Sequence, residues 1–229
     1  KLVSAFLEAG GQVFLTAGES AVLVAAIPVH YQALVITLLG TGMRFGEATA
    51  LQVGDVDLDA PTPVLYVRRA WKRSGHGTAT QVGAPKTAAG IRTIGLGRGV
   101  VDVLEPLVAG RASDALVFTT TTGKAVQHSH FHARVWKPTV ERLAARVDAD
   151  GNPRVPELAK RPTIHSLRHT HASALIQSRI PLTDIQHRLG HESIQTTSDT
   201  YGHLAPDALA VSARAIDAWM VQVTPELEG

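Results

Sequence analysis

The chain has 229 residues, 45% of them hydrophobic, and a formal net charge of +2. This length and composition suffice for one sizeable buried core. The absence of cysteine excludes disulfides, thiolate metal sites and cysteine nucleophiles. No apolar run approaches the roughly 18–20 residues that span a bilayer, and the start has no signal-peptide pattern. We therefore expect a cytoplasmic protein with no membrane contact.

The first part of the chain predicts helices. The sequence TAGE at 16–19 has the spacing of a capping box, which predicts a helix from its second residue onward and leaves 1–15 as a leader or linker. Pro28 opens a second predicted helix that ends at Gly40. The segment MRFGEATAL follows as a short third helix with Arg44 at its start.

A small antiparallel sheet is predicted next, from Val64–Arg69, Thr78–Val82 and Ile91–Ile94, with Lys86 in the turn between the last two. Residues 61–101 around these strands carry basic side chains and no Asp or Glu. Such a block can bind a polyanion by displacing its counterions, although a solvated hairpin is the alternative. The candidate DNA-binding residues are Arg68, Arg69, Lys72, Arg73 and Arg92.

The rest of the chain is mostly helical by its pattern, with one loop rich in Pro, Gly, Asp and Asn over 148–162. Pro138 predicts a break or kink within one of these helices. The predicted helices are Gly99–Ala109, Gln127–Val147, Ser166–Ser178, Pro181–Leu189, Ser193–Tyr201 and Pro206–Val223. The fold class is therefore mainly α with a small antiparallel β-sheet, an α+β arrangement without β-α alternation.

Several common motifs are incomplete in this chain. The glycine patterns of a dinucleotide site and a P-loop lack a glycine, the zincin motif lacks its second histidine, and no GxSxG elbow occurs. The pairs His165/His169 and His187/His191 have the i, i+4 spacing of helical metal ligands. A zinc site stays an alternative, although no carboxylate or cysteine ligand can be identified beside them.

Four segments carry the residues of one chemistry. They are GTGMRFGEATAL, APKTAAGIRTIGL, HSLRHTHAS and LGHESIQTTSDTYGHL. In this order and with these separations they closely resemble the catalytic motifs of the tyrosine recombinase family, which includes phage integrases. The resemblance covers about residues 16–204. It assigns catalytic roles to Arg44, Lys86, His165, Arg168, His191 and Tyr201.

The resemblance implies a site-specific DNA recombinase or integrase that cuts and rejoins strands through a 3′-phosphotyrosine at Tyr201. Transesterification at phosphorus places extra negative charge on the non-bridging oxygens, so fixed cations must surround them. Arg44 and Arg168 suit this task because a guanidinium is permanently charged and forks onto two oxygens. His191 could donate a further hydrogen bond to the same phosphate.

Two proton transfers complete the implied reaction. His165 is the candidate acceptor for the hydroxyl proton of Tyr201, whose ordinary pKa is about 10. Lys86 is the candidate general acid for the leaving 5′-oxygen. The phosphotyrosine conserves the energy of the broken bond, so the resemblance implies neither a metal nor a nucleotide cofactor.

Other positions match the family pattern without an assigned catalytic role. We interpret Glu47 as scaffold that hydrogen-bonds the loop, and His169 as packing behind Arg168. Two positions depart from the pattern: Ser166 stands where relatives commonly carry Asp, and Gly90 stands where many carry Ser or Arg.

The resemblance also implies partners and an assembly. The implied partner is double-stranded DNA, with accessory DNA-bending proteins possible. The implied assembly is a homotetramer on DNA and a monomer without it. The protein would be prokaryotic or phage-encoded and associated with the nucleoid. It assigns 16–205 to the catalytic domain and 206–229 to a C-terminal helix and tail that could be exchanged between subunits. Relatives usually carry a separate N-terminal helical domain that closes around DNA, and no segment of this sequence corresponds to it. A type IB topoisomerase and a non-catalytic helix-turn-helix protein, with its motif at 181–201, are the alternatives.

Overall fold

The computed structural model describes residues 12–73, 80–85, 87–146, 152, 155–201, 213, 214 and 216. Helices dominate this part of the chain. They are α1 (Ala17–Ala26), α2 (Val29–Thr41), α3 (Phe45–Ala48), α4 (Arg98–Val108), α5 (His128–Phe131), α6 (Lys137–Leu143), α7 (Ser166–Gln177), α8 (Leu182–Leu189) and α9 (Ile194–Tyr201). The strands are β1 (Val56–Asp57), β2 (Val64–Val67), β3 (Ala70–Arg73), β4 (Thr80–Gly83) and β5 (Arg92–Gly95). The mainly α prediction is confirmed.

The structure confirms the predicted start of the first helix but not the predicted end of the second. The Thr16 hydroxyl accepts from the Glu19 N–H at 3.2 Å and the Glu19 carboxylate accepts from the Thr16 N–H at 2.8 Å, which confirms the predicted helix start. The predicted end of the second helix at Gly40 is wrong. Helix α2 runs to Thr41, because the left-handed residue that closes it is Gly42, with φ +67°.

The predicted single sheet is wrong in its pairing. Strand β2 pairs with β1 on one side and with β5 on the other, so that the three strands form one antiparallel sheet. Strands β3 and β4 form a separate hairpin. The difference follows from burial, since Leu65, Val67 and Ile94 point into the core, whereas Val82 on the hairpin is exposed.

Later elements agree closely with the sequence pattern. A single π-helical turn, His132–Trp136, separates α5 from α6 and ends two residues before Pro138, which has no N–H to continue the α-helical ladder. The predicted break is therefore confirmed. Helices α7, α8 and α9 begin and end within a residue of their predicted limits. The predicted helix Pro206–Val223 falls outside the described residues except at 213, 214 and 216.

Helix packing places the later helices around the C-terminal end of α2. Helix α2 packs against α4 and α7, α7 packs against α8, and α8 contacts both α9 and β5. A second, smaller apolar cluster lies among these later helices and includes Ile185, Leu189 and Tyr201.

Phe14 belongs to that second cluster and is 0% exposed. The Leu15 N–H donates to the Thr170 hydroxyl at 3.0 Å. The chain therefore enters the core before residue 16. No helix of the described residues is long and apolar enough to cross a membrane.

Candidate active site

Arg168, on α7, is a buried cation held between two helix ends. Its side chain donates to the carbonyl oxygens of Gly42 and Leu189, each at 2.7 Å. These carbonyls lie at the C-terminal ends of α2 and α8, where backbone oxygens have no partner within the helix and carry partial negative charge. Burial lowers the pKa of Arg168 to about 9, which still leaves it charged at neutral pH. The site therefore contains a preorganised cation.

Two glycines explain how these helix ends can approach the arginine. Gly42 and Gly190 both have φ +67°, a region that other residues rarely adopt. A Cβ on Gly42 would lie 2.6 Å from the His171 ring, and one on Gly190 would lie 2.8 Å from the Ala89 carbonyl oxygen. The glycines of the GTG and LGH sequences are thus required both by conformation and by space.

Arg44 lies at the N-cap of α3 and is anchored by the buried Glu47. The Glu47 carboxylate accepts from the Arg44 guanidinium and from the Arg44 backbone N–H, each at 2.9 Å. It also accepts from Arg92 at 2.9 Å. Burial alone would raise the pKa of Glu47, but the hydrogen bond and charge of Arg92, aided by Arg44, outweigh it and hold that pKa below its ordinary value. The Arg44 side chain remains 44% exposed and can still reach a ligand.

Tyr201 ends α9 and is 1% exposed. Its ring is nearly parallel to that of His191, with centroids 6.4 Å apart, and His191 Nδ1 lies 2.8 Å from the Thr197 hydroxyl. Burial raises the pKa of Tyr201 to about 12, although the charges of Arg168 and Arg44 act in the opposite direction. The hydroxyl is therefore protonated in the free protein.

His169, and not His165, contacts the hydroxyl of Tyr201. His169 Nδ1 lies 2.8 Å from Tyr201 Oη, and the His169 ring also meets Phe14 edge-on. The ring of His165 lies perpendicular to that of His169, with centroids 4.7 Å apart. The interpretation of His169 as packing behind Arg168 is therefore replaced by direct contact with the tyrosine.

A contact between buried His171 and half-buried Arg188, which the sequence did not indicate, supports the same region. His171 Nδ1 lies 2.8 Å from the Leu39 carbonyl oxygen, and His171 Nε2 accepts from Arg188 Nε at 2.9 Å. Arg188 also donates to the Gly40 carbonyl oxygen at 3.0 Å. Burial, with the charge of Arg188, lowers the pKa of His171 to about 4. A neutral His171, protonated at Nδ1, satisfies both contacts and joins the end of α2 to α7 and α8.

Residues 14–207 match the sequence profile of the Phage integrase family. The chain belongs to the phage integrase family. It is 31% identical over 176 residues to the integrase of Staphylococcus phage L54a, a match that covers 72% of this chain and 45% of that relative. It is 28% identical over 193 residues to the resolvase of Escherichia coli strain K12, covering 80% of this chain and 69% of the resolvase. The chain thus spans less than half of the phage L54a integrase.

Solved structures of integrases share the fold. The Tn1549 transposon integrase, in complex with circular intermediate DNA, superposes with a TM-score of 0.69 at 22% identity over 91% of this chain and 67% of that one. The catalytic domain of bacteriophage HP1 integrase gives a TM-score of 0.54 at 20% identity over 88% of this chain and 93% of that domain. The fold that the resemblance implied is confirmed.

Two of the arginines predicted to bind DNA form hydrogen bonds and ion pairs within the protein instead. Arg92 is 6% exposed and donates to Glu47, to the Arg188 carbonyl oxygen at 2.7 Å and to the Gly90 carbonyl oxygen at 3.0 Å. Arg69 pairs with the buried Asp55 at 2.8 Å. We therefore do not expect Arg92 to contact a DNA phosphate, and we interpret both arginines as structural.

The other candidate DNA-binding residues lie on or next to the sheet and the hairpin. Arg68 is 51% exposed and lies 4.5 Å above the Tyr66 ring, beside Asp55. Lys72 lies on β3, opposite Gln81 of the hairpin. The side chain of Arg73 lies outside the described residues, as does Lys86, in the segment that connects β4 to β5.

One histidine of each pair considered as metal ligands contacts another side chain. His169 meets Tyr201 and His191 meets Thr197. Among the residues that the structure describes, no group of three or more His, Asp or Glu side chains could hold a metal ion.

Gly90, one of the two departures from the family pattern, is explained by space. A Cβ at this position would lie 2.4 Å from the Pro85 ring. Ser166, the other departure, is the first residue of α7, and its hydroxyl accepts from the Thr163 N–H at 3.0 Å.

Proposed function

We propose that this chain is the catalytic domain of a site-specific DNA recombinase that cleaves and rejoins DNA strands through a 3′-phosphotyrosine at Tyr201. The observation that supports the proposal best is the convergence of three separate segments on one tyrosine. Arg44, Arg168, His169 and His191 surround Tyr201 closely enough that the two arginine charges act on its pKa.

The arginines are suited to hold a phosphodiester and its developing charge. Arg168 is fixed by two helix-end carbonyls, so little reorganisation is needed when a phosphate arrives. Arg44 keeps an exposed part of its guanidinium while Glu47 anchors the rest. His191, whose Nδ1 contacts Thr197, would use its other ring nitrogen to contact the phosphate.

The chemistry of strand exchange follows from a covalent intermediate. Tyr201 Oη attacks phosphorus, the bond to the 5′-oxygen breaks, and Lys86 supplies the proton that this oxygen needs. The reverse attack by a 5′-hydroxyl restores the DNA backbone, so neither ATP nor a metal is required.

Partners and assembly follow from the same proposal. The integrase of Tn1549 was solved with circular intermediate DNA, and the XerH site-specific recombinase was solved with its difH substrate. We propose double-stranded DNA as the partner, a homotetramer on DNA with a monomer without it, and residues 206–229 as the segment exchanged between subunits. Accessory DNA-bending proteins and nucleoid association belong to the same proposal.

A trapped covalent adduct tests the proposed function. The chain is incubated, in EDTA and without ATP, with a pool of nicked duplexes of randomised sequence, in which the short cleaved fragment diffuses away. We expect an SDS-stable adduct that Tyr201→Phe abolishes with DNA retardation intact. Tyr31→Phe is the matched control, since Tyr31 packs against Phe131 and should cleave normally.

Other outcomes separate the alternatives. Retardation without any adduct would support a helix-turn-helix protein. An adduct accompanied by plasmid relaxation but no exchange between two duplexes would support a type IB topoisomerase. Loss of the adduct in EDTA, restored by Zn²⁺, would return the histidine pairs to consideration as metal ligands.

A further inference from the structure

The hydroxyl of Tyr201 has one described hydrogen-bond partner, and it is His169. The two side chains come from different helices, α7 and α9, and meet at 2.8 Å inside the second apolar cluster. The contact is within the 2.6–3.2 Å that separates nucleophile and base in covalent catalysis. The family motifs gave His169 no catalytic role.

The direction of this hydrogen bond follows from burial. Tyr201 is 1% exposed, so its hydroxyl proton needs an acceptor inside the protein. If His169 Nδ1 carried a proton and donated it to Tyr201, the hydroxyl proton would face no other acceptor among the described residues. The tautomer with an unprotonated Nδ1 satisfies both groups.

We propose that His169 is the catalytic base that accepts the hydroxyl proton of Tyr201 during strand cleavage. This inference rests on the proposed function. It replaces His165, whose ring faces His169 edge-on and is partly exposed to solvent. His165 is left to contact the phosphate together with Arg168 and Arg44.

The charged surroundings explain why the proton stays on the tyrosine until DNA binds. Burial, followed by the neighbouring His165 and Arg168, lowers the pKa of His169 to about 4, while burial raises that of Tyr201 to about 12. A neutral His169 is thus ready to accept, but a stable transfer is unfavourable in the free protein. A bound phosphate offsets the positive charge of Arg168 and Arg44, and so favours an imidazolium at His169.

The step balances without another reactant. The Tyr201 O–H bond breaks and its proton binds His169 Nδ1 as Oη bonds to phosphorus. The bond from phosphorus to the 5′-oxygen breaks, and that oxygen takes a proton from Lys86. When a 5′-hydroxyl attacks phosphorus in the rejoining step, its proton passes to Lys86, the bond from phosphorus to Tyr201 Oη breaks, and His169 returns its proton to that oxygen.

The substitution His169→Asn distinguishes two roles for His169: a base that accepts the proton, and a residue that only positions the tyrosine. The amide oxygen of His169→Asn can accept a hydrogen bond close to the Nδ1 position, but it cannot take a proton at neutral pH. For a catalytic base, we expect the rate of adduct formation at pH 7 to fall by roughly 100-fold to 10,000-fold. The remaining rate should rise about tenfold per pH unit, because the tyrosine must then ionise on its own.

His165→Asn is the matched control, with the same chemical change one helical turn away at the N-cap of α7. Its rate should fall through weaker phosphate contact, while its dependence on pH keeps the wild-type shape. If His169→Asn cleaves at nearly the wild-type rate with the wild-type pH dependence, the proposal is wrong. The same holds if the steep pH dependence appears in His165→Asn instead.

A measurement on the unaltered chain covers the case in which His169→Asn does not fold. Nitrogen NMR of the histidine rings at neutral pH, without DNA, should show His169 Nδ1 unprotonated. A proton on Nδ1 would overturn the proposal whatever the variants do. If the wild-type chain forms no adduct with any duplex of the pool, the proposed function fails, whereas an adduct that survives His169→Asn unchanged removes only the base.

Discussion

Glu47→Gln replaces a buried carboxylate, which pairs with two arginines, by a neutral amide. Glu47 is 3% exposed and Arg92 is 6% exposed, and their contact of 2.9 Å lies away from solvent. The second carboxylate oxygen holds Arg44 at 2.9 Å. A glutamine keeps one acceptor oxygen but turns an amide N–H₂ group toward one of the guanidinium groups. The variant therefore leaves a buried cation without its counter-ion.

The magnitude follows from burial. Removing one partner of a buried ion pair typically costs about 3–5 kcal/mol. For a domain of 150–250 residues each kcal/mol lowers Tm by roughly 2–4 °C. We therefore expect Glu47→Gln to lower Tm by about 10 °C, and to slow DNA cleavage because Arg44 loses its anchor.

Asp102→Asn provides the matched control for the assay. It also converts an acid to its amide and breaks one ion pair, that between Arg98 and Asp102 at 2.7 Å on α4. Those side chains are 82% and 50% exposed, and such pairs contribute about 0–1 kcal/mol. Urea unfolding and thermal melts of both variants measure the difference directly. Equal losses in the two variants would refute the argument from burial.

A double substitution tests the physical cause. Arg92→Met in the Glu47→Gln background removes the uncompensated cation and replaces it with an apolar side chain of similar length. If the loss comes from an unpaired buried charge, the double variant should be more stable than Glu47→Gln alone. A further additive loss would instead indicate that packing by Arg92 dominates.

Three further predictions concern other parts of the chain. In the folded chain the pKa of His171 is lowered to about 4 from an ordinary 6.5. Between these values the unfolded chain binds a proton that the folded chain does not, so stability falls as pH falls from about 6.5 toward 4. Urea unfolding should show that the free energy of unfolding falls by about 2–3 kcal/mol between pH 7.5 and 4.5, a loss that His171→Asn lacks. Lys86→Ala should be slow on normal DNA but recover on a substrate with sulfur at the bridging 5′ position, because a thiolate leaves without a proton, whereas Arg168→Ala should stay slow on both; equal impairment of Lys86→Ala on both substrates would exclude it as the acid. Deleting 206–229 should reduce synaptic assembly, measured by the joining of two labelled duplexes, more than single-site binding, and equal losses would indicate that the segment only completes its own core.

Local signals predicted the helices well because their causes are local. The capping box at 16–19 involves only two residues three positions apart, and Pro138 removes a hydrogen bond within its own helix. The end of α2 was harder, since either Gly40 or Gly42 could close the helix by sequence. Gly42 closes it because its backbone must also approach His171 and Leu189. That requirement comes from other helices and cannot be read from the GTG sequence.

The sheet and the basic residues show the same limit. Strand pairing depends on which residues face the core, and the basic segment gives no indication that Arg92 is buried against Glu47, 45 positions earlier. Charge alone made Arg92 a DNA contact. The acidic partner that neutralises it lies outside the basic block, so counting charges within 61–101 could not find it.

The candidate site combines both kinds of signal. Spacing and residue type indicated Arg44, Arg168, His191 and Tyr201, because the chemistry of a phosphodiester limits which side chains can serve. The choice between two histidines on one helix is different. His165, the N-cap of α7, and His169 lie one helical turn apart, so the sequence does not distinguish them. Which ring meets Tyr201 depends on how α9 packs on α8 and α7, and that packing, through the contact of 2.8 Å, selects His169.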